Sequence, residues 1–180
     1  MKIQVMQNNL SKLLLDEHNI IQKAGKIIFS LKNTWLDNAE SYEKNIQKLI
    51  EFFSAYSDDY HHKKEEEILF IAISQKNESI GGGMVDELLD HHETFRATLQ
   101  KISKLLAAKD YQSVQYNLES YVVNLEDHIA IENDEVFPMT DSIFEDEELE
   151  MLYHKCIDKD NELGIERKKE FEEFINEFNA

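Results

Sequence analysis

The sequence predicts an all-α protein, an up-down-up-down four-helix bundle with an extra charged C-terminal helix. Apolar residues recur at helical spacing nearly throughout the 180 residues. Five Gly and one Pro, among plentiful Leu, Ile, Glu and Lys, favour helices over sheet. The long periodic segments are joined by short and medium connections, which is the pattern of such a bundle.

The first two helices are predicted from their apolar stripes. The first runs from Leu10 to Leu31, and Ser11 is expected to help cap its start. A break follows, in which Trp35 is expected to cover the end of the bundle. The second helix is longer and runs from about Ala39 to Ile73. Its inner face is marked by Ile46, Ile50, Phe53 and Leu69.

The segment SQKNESIGGG, residues 74–83, is the clearest predicted loop. Its glycines lack the Lys-Ser/Thr of a phosphate-binding loop, so a flexible helix entry is expected. A third helix is predicted from Met84 to Ala108 and a fourth from about Tyr111 to Asn133, with Pro138 ending that region. Asp146 to Phe178 is predicted as one charge-rich fifth helix.

Composition predicts one domain and excludes several classes of protein. Residues 1–140 are expected to form the bundle, with residues 141–180 as a helical extension of the same domain. The formal charge of −18 argues against nucleic acid and against anionic membranes. A single cysteine excludes an internal disulfide, an iron–sulfur cluster and a Cys-rich zinc site. Without an apolar span or a leader in MKIQVMQNNL, a cytoplasmic protein is expected.

Two halves of the chain repeat one pattern, in which a helix with one histidine is followed by a helix with His-x-x-x-Glu. LLDEHNIIQKA (14–24) aligns with LLDHHETFRAT (88–98), and HHKKEEEILFI (61–71) aligns with HIAIENDEVFP (128–138). The alignment pairs His18 with His92, His61 with His128, and Glu65 with Glu132. A two-fold related bundle is the natural product of this repeat.

The repeat also selects between two registers within YHHKKEEEILF. Residues four apart share a helix face, so His61 fits with Glu65 and His62 fits with Glu66. Only the first pair has a counterpart in the other half of the chain. A single such pair is compatible with a surface ion pair or a hydrogen-bonded core histidine. A repeated set on inward faces instead predicts a metal site, because buried imidazoles and carboxylates are costly when unpartnered.

The residue types narrow the choice of metal and its chemistry. Imidazole and carboxylate ligands without thiolate suit Fe, Mn or Zn. Two carboxylates that bridge would allow the set to hold two ions. Such a pair would keep positions for a solvent bridge and one outside molecule, and an open position distinguishes a reactive metal site from a structural one.

The motifs LLLDEHNII, YHHKKEEEILF, ELLDHHETFR and HIAIENDEVFP together resemble those of hemerythrin-like proteins, in particular the HHE cation-binding group, from about Leu10 to Met139. The resemblance implies a four-helix bundle around a non-haem di-iron centre. It implies that Glu65 and Glu132 bridge two iron ions, together with a solvent oxygen. The ligands it implies are His18, His61, Glu65, His92, His128 and Glu132.

Departures from this family bear on the expected function. Leu88 stands where the oxygen-carrying members have a fifth histidine, one turn before the residue matching His92, which argues against reversible oxygen carriage. The remaining set resembles di-iron proteins linked to iron–sulfur cluster repair and nitric oxide responses. Those proteins commonly carry a cysteine-containing N-terminal domain that this sequence does not show.

Two classes of function therefore remain open. The first is a protein that binds O2, NO or a reactive oxygen or nitrogen species for sensing, scavenging or stress response. The alternative is a di-iron enzyme that turns over peroxide or nitric oxide, or an iron-centre repair protein. A storage or purely structural metal is a third reading, and a homodimer through the C-terminal helix is left open.

The other chemically capable residues are expected to be structural. His62 and His91 each neighbour an implied ligand, and a solvent-facing or supporting role is expected for them rather than ligation. A surface role is expected for His154 and an apolar contact for Cys156. Tyr121 is expected to pack in the core, with a hydrogen-bonding or redox role at the centre as the alternative.

Overall fold

The computed structural model describes residues 9–178, which form six helices and no strand. The helices are α1, Leu10–Ser30; α2, 39–76; α3, 78–107; α4, 111–143; α5, Asp146–Leu163; and α6, Ile165–Glu177. The all-α class is confirmed. Residues 1–8, where most of the segment examined for a leader lies, and residues 179–180 fall outside the described part. Within the described part, no helix is long and apolar enough to cross a membrane.

The start of α1 differs from the prediction. Asn9 is the capping residue, and its side chain accepts a hydrogen bond of 2.7 Å from the backbone N–H of Lys12. Ser11 already lies inside the helix, and its hydroxyl donates to Asp141 Oδ1 at 2.7 Å. The capping role predicted for Ser11 is therefore wrong, because Asn9 satisfies the first turn two residues earlier.

π-helical segments interrupt the α-helical winding of α2 and α4 at the two His-x-x-x-Glu motifs. Phe53–His62 and Glu65–Leu69 are π-helical in α2, and Glu132–Val136 is π-helical in α4. A π-helix bonds each N–H five residues back, so the chain rotates less per residue than in an α-helix. Adjacent side chains consequently point in more similar directions, and such segments are frequent at functional sites.

The predicted loop at residues 74–83 is almost wholly helical. Asn77 leaves the helical conformation, and its side chain caps α3 by accepting from the backbone N–H groups two and three residues later, at 3.1 and 3.3 Å. At Gly81 a Cβ atom would lie 2.6 Å from the Ser74 hydroxyl. The loop prediction is wrong because this glycine permits a close approach of helix to helix, rather than a turn.

Two further predicted boundaries are corrected near the C-terminus. Pro138 does not end α4, which continues to Ile143. The proline lies one residue beyond the π-helical segment of α4, in the first turn of a new α-helical stretch, where a missing N–H is tolerated. The single C-terminal helix is instead two helices, because Gly164 has a φ of +90° and interrupts the winding.

The apolar core of the described residues consists of two clusters, and helices α1–α4 each contribute to both. The first cluster contains Ile21, Phe53, Phe95 and Leu125 among others. The second contains Leu14, Leu69, Leu88 and Val136 among others. In each helix the predicted ligands stand in the chain between a residue of one cluster and a residue of the other. The fold therefore places a polar layer between two apolar ones.

The C-terminal helices pack on this core. Phe171 of α6 contacts the rings of Phe52 and Tyr56, with centroids 5.8 and 6.4 Å apart. Cys156 of α5 is fully buried in the second cluster, as expected for an apolar contact, and burial raises the pKa of its thiol to about 12. Trp35 is half-buried against the first cluster, edge-on to Tyr42.

Candidate metal centre

The structure brings all six predicted ligands together where α1, α2, α3 and α4 meet, and none is more than 1% exposed. Together with His62 they fall into two groups, and the ligand atoms within a group lie within 4.8 Å of one another. The first group is His18, His61, Glu65 and Glu132. The second group is His62, Glu65, His92 and His128.

Glu65 belongs to both groups and faces each with a different oxygen. Its Oε1 lies 3.4 Å from His61 Nε2 and 4.0 Å from His18 Nε2. Its Oε2 lies 3.6 Å from His92 Nε2. One carboxylate oxygen is thus available to an ion in each group.

Glu132 repeats this arrangement from the opposite half of the chain. Its Oε2 lies 3.3 Å from His18 Nε2 in the first group, and its Oε1 lies 3.2 Å from His128 Nε2 in the second. Two carboxylates that each span both groups are suited to bridging a pair of ions.

Buried polar atoms without partners mark this centre. All four oxygens of Glu65 and Glu132 lack a hydrogen-bond partner, as do the Nε2 atoms of His18 and His61. In the second group, His92 Nε2 and His128 Nε2 lie 3.0 Å apart. Burial of unpartnered carboxylates is costly, whereas metal coordination satisfies them. The donor set of imidazole and carboxylate fits Fe, Mn or Zn.

Burial favours the neutral imidazole at His61 and His92, and the pKa values of the two carboxyl groups are shifted in opposite directions. Desolvation lowers the pKa of His61 to about 4 and lowers the pKa of His92 as well. Burial, with the charge of Glu132 next, raises the pKa of Glu65 well above its ordinary value. Burial also opposes ionisation of Glu132, but His128 and His18 together outweigh it and hold the Glu132 pKa well below the ordinary value. Neutral imidazoles have the lone pair that a metal requires.

The five histidines in the two groups each have an outer partner for the Nδ1 atom. The contacts are His18 to Asn133 Oδ1 at 2.7 Å, His61 to Glu17 Oε2 at 2.9 Å, His62 to Asp58 Oδ1 at 3.4 Å, His92 to Glu66 Oε1 at 2.8 Å, and His128 to His91 Nδ1 at 3.3 Å. An Nδ1–H that donates outward leaves the lone pair on Nε2, which is how ligating histidines are oriented.

A buried polar network that the sequence analysis missed supports His61. Glu17 is 3% exposed and accepts hydrogen bonds from Tyr60 Oη at 2.9 Å and Lys64 Nζ at 2.5 Å. Burial opposes its ionisation, but the hydrogen bond from His61 and the charge of Lys64 lower its pKa to about 2. Asp160 of α5 extends the network by accepting from Tyr60 at 2.6 Å and from Lys64 at 3.3 Å.

One signal for this network was present in the sequence. Glu17 stands three residues after Leu14 and four before Ile21, on the apolar face of α1. The burial of Lys64, which has no exposed surface at all, has no comparable signal, because it depends on the packing of α5 against α2.

The remaining candidates are resolved by their burial. The solvent-facing position expected for His62 is wrong, because this side chain is 1% exposed and lies in the second group. His91 is half-buried and supports His128. His154 is exposed, as expected. Tyr121 packs edge-on between Phe53 and Phe95, with centroids 5.1 and 5.5 Å away, in agreement with the expected core role.

A surface pocket of about 290 Å³ opens beside the second group. It is lined by His91, Thr94, Phe95, Asn124, Asp127 and His128. His128 therefore links the buried centre to a depression in the protein surface between α3 and α4.

Comparison with known proteins matches the region that contains this centre. A sequence model described as the hemerythrin HHE cation binding domain matches residues 9–140. No curated protein and no solved structure matches the chain significantly. The matched region includes every residue of both groups and ends before α5 begins.

Proposed function

The chain belongs to the hemerythrin HHE cation-binding family, and from this premise we propose that its buried centre holds two iron ions and binds a small ligand. The ligand would be O2, NO or a reactive oxygen or nitrogen species, bound for sensing, scavenging or stress response. The proposed metal ligands are His18, His61, Glu65, His92, His128 and Glu132. The two glutamates would bridge the ions together with a solvent oxygen.

The placement of the two carboxylates is the observation that carries this proposal. Glu65 and Glu132 each direct one oxygen to the first histidine group and the other oxygen to the second. None of these oxygens has a hydrogen-bond partner in the protein. A single ion would leave one side of both carboxylates unsatisfied, and a pair of ions satisfies both sides.

When bound, the ion pair would supply redox activity, Lewis acidity and an open coordination position. The protein's own contribution is to favour the neutral imidazole at His61 and His92 and to surround the centre with apolar rings. Phe137 stacks on His18 at 5.4 Å, Phe70 lies 5.9 Å from His92, and Phe95 lies 5.3 Å from His128. Such walls favour small, weakly polar ligands over large polar ones.

The proposal extends to the architecture and setting of the centre. We place it in an up-down-up-down four-helix bundle formed by α1–α4 within residues 1–140, and residues 141–180 would extend the same domain. A cytoplasmic location, as expected from the sequence, is part of the proposal. A homodimer through the C-terminal helices belongs to the same set of proposals.

One observation favours the alternative of turnover or iron-centre repair. Hydrogen bonds connect the proposed ligand His61 through Glu17 and Tyr60 to Asp160, whose side chain is 21% exposed. An enzyme that reduces peroxide or nitric oxide needs protons at its centre, and a hydrogen-bonded chain to the surface would deliver them.

Metal analysis followed by ligand spectroscopy tests the proposal. Protein expressed with ample iron should contain about two irons per chain, and His128→Ala and Glu132→Ala should lose them while the exposed-site variant His154→Ala retains them. One ion or none in the unmodified protein contradicts the dinuclear centre.

The reduced protein is then exposed to O2 and to NO, and the oxidised protein to azide. Reversible spectral changes without consumption of the gas support binding. Consumption of NO or peroxide that His128→Ala abolishes supports turnover. A centre that responds to none of these ligands contradicts both functions.

A further inference from the structure

We propose that His62 is a fifth histidine ligand of the metal centre and completes the ligand set of the second group. The inference rests on the proposed di-iron function and adds a residue to its machinery. With His62 included, His62, His92 and His128 hold one ion, while His18 and His61 hold the other.

His62 lies among the proposed ligands of the second group. The residue is 1% exposed, and one of its ring nitrogens lies within 4.8 Å of ligand atoms of Glu65, His92 and His128. Its ring stacks on His92 with centroids 3.9 Å apart and planes inclined by 9°. It also meets His128 edge-on at 5.7 Å. The imidazole thus lies at the centre itself and not in a shell outside it.

The Nδ1 atoms of His62 and His92 face two carboxylates that belong to one hydrogen-bonded cluster outside the metal centre. Asp58 Oδ1 lies 3.4 Å from His62 Nδ1, and Glu66 Oε1 lies 2.8 Å from His92 Nδ1. Arg96 joins the two carboxylates, since its Nε donates to both oxygens of Asp58 at 2.9 Å and its Nη2 donates to Glu66 at 2.5 Å. One clamp between α2 and α3 therefore orients both imidazoles.

The carboxylates of Asp58 and Glu66 also determine which ring nitrogen of His62 and His92 carries the proton. A carboxylate beside Nδ1 selects the tautomer with the proton on Nδ1. The lone pair then lies on Nε2, as it does in a histidine that ligates a metal through Nε2 and donates to an outer carboxylate. A histidine that served only to pack in the core would need no carboxylate behind it that is itself held by an arginine.

The backbone explains how two adjacent residues both reach the centre. His61 and His62 end the π-helical segment Phe53–His62. Reduced rotation per residue narrows the angle between successive side chains. His61 consequently faces the first group while His62 faces the second, and Lys63 is the next residue to point outward, where it pairs with Asp59 at 3.0 Å.

An asymmetric centre follows from this assignment. The second group contributes three imidazoles and the first group contributes two, while Glu65 and Glu132 serve both. The ion held by His18 and His61 therefore has fewer protein ligands.

Cobalt substitution tests the assignment without reliance on activity. The full chain is stripped of metal, reloaded with Co²⁺ alone, and its proton NMR spectrum recorded in H2O and in D2O. Each imidazole that binds through Nε2 gives one exchangeable, strongly shifted Nδ1–H signal. Five such signals are expected from the unmodified protein, and four signals would overturn the role of His62.

Variants identify which residue gives each signal. His62→Ala and His92→Ala should each lose one signal. Each should also weaken Co²⁺ binding at the site formed by the second group by 100-fold or more, since even outer-shell changes cost about 10–100-fold in affinity. The exposed-site control His154→Ala should keep all signals and both sites. Unchanged signals and affinity in His62→Ala overturn the inference.

Two outcomes separate this inference from the proposed function. An unmodified protein that binds no Co²⁺, Fe²⁺ or Mn²⁺ overturns both. An unmodified protein that binds two ions with four shifted signals overturns only the role of His62. If His62→Ala does not fold, the signal count of the unmodified protein still decides, and His62→Gln, with its side chain of similar length, replaces it in the affinity measurement.

Discussion

Lys64 is the charged side chain that most constrains the surroundings of the centre. Its side chain has no exposed surface, and its ammonium lies 2.5 Å from Glu17 and 3.6 Å from the centroid of the Tyr60 ring. A buried ammonium is retained only with a partner, and Glu17 in turn holds Nδ1 of His61. Lys64 therefore influences the orientation of His61 through Glu17.

Removal of this ammonium should destabilise the protein strongly. Lys64→Met leaves Glu17 buried without its cation, and the free energy of unfolding is expected to fall by about 3–5 kcal/mol. The matched control is Lys63→Met, which removes a solvent-exposed pair and should change stability by about 0.5 kcal/mol or less. Urea unfolding of the metal-free proteins measures both changes, and equal effects would contradict the buried ion pair.

The metal-free protein should lose stability as the pH falls. Burial lowers the pKa of His61 from 6.5 to about 4 in the folded state. Between these values the unfolded chain binds a proton that the folded protein excludes, so the free energy of unfolding decreases from pH 6.5 to pH 4. The expected loss is on the order of 3 kcal/mol. The same protons compete with metal, whose affinity should fall below about pH 6.

Unfolding of the metal-free protein at several pH values, alongside His61→Gln, measures this dependence. The variant lacks the titrating imidazole, and its stability should vary less over the same range. The same pH dependence between pH 6.5 and pH 4 in the unmodified protein and in His61→Gln would contradict the burial of a neutral His61.

At the scale of the elements, the three consecutive glycines at the start of α3 serve different ends. All three lie in the π-helical segment Gly81–Val85, where a side chain is compatible with the backbone. A Cβ atom at Gly82 or Gly83 would meet nothing within 4 Å, whereas at Gly81 it would lie 2.6 Å from Ser74. Only the first glycine is required by packing.

Alanine substitution should separate these glycines. Gly83→Ala is expected to raise the free energy of unfolding by about 0.5–1 kcal/mol, because it restricts the unfolded chain without a clash. Gly81→Ala should lower it, because the nearest atoms of Ser74 include its backbone Cα. Thermal unfolding of the two variants measures the difference. Destabilisation by Gly83→Ala would instead support the loop that the sequence predicts at this position.

α5 links the C-terminal helices to the centre through one carboxylate. Asp160 accepts from Tyr60 at 2.6 Å, from Lys64 at 3.3 Å and from Lys168 of α6 at 3.1 Å. The region matched by the family model ends at residue 140, so this support is contributed from outside it. The C-terminal helices are thereby coupled to the orientation of Glu17.

Asp160→Asn should weaken both the fold and the metal centre. The loss of charge beside Lys64 is expected to cost about 1–3 kcal/mol in unfolding free energy. Metal affinity should fall by about 10-fold or more, because the outer support of His61 is disturbed. The exposed Asp158→Asn is the control, and metal titration of the two variants makes the comparison. Equal metal affinities in the two variants would contradict a coupling between α5 and the metal centre.

At the scale of the whole molecule, metal should stabilise the fold. The metal-free centre holds unpartnered carboxylate oxygens in a buried layer between two apolar clusters. An ion that binds only the folded state adds about 4 kcal/mol when its free concentration is 1,000 times its Kd. For a chain of this size, that corresponds to an increase in Tm of roughly 8–16 °C.

Thermal unfolding with iron and after chelation measures this increase. Glu132→Ala should show little difference between the two states, since it removes a carboxylate that serves both groups. Equal Tm values for the metal-loaded and metal-free unmodified protein would contradict a metal site at the meeting point of α1–α4.

The sequence by itself determined the helical class and the membership of both halves in the centre. These features follow from local chemistry, because apolar periodicity marks helices and the repeated His-x-x-x-Glu marks equivalent positions on two of them. The six residues chosen from that repeat do meet in the structure. The errors lie at Ser11, residues 74–83, Pro138 and Gly164, where a neighbouring cap, a close helix contact, π-helical winding or a positive φ outweighed local propensity.

Only the tertiary structure decided the places of His62, Lys64 and Asp160. In an α-helix, the side chains of His61 and His62 would point in clearly different directions around the helix axis. The π-helical winding of α2 reduces the angle between them. The burial of Lys64 depends on a helix nearly 100 residues away, and local patterns contain no information about such pairings. Spacing along one helix is encoded locally, whereas the partner that makes a buried charge tolerable is set by the packing of separate helices.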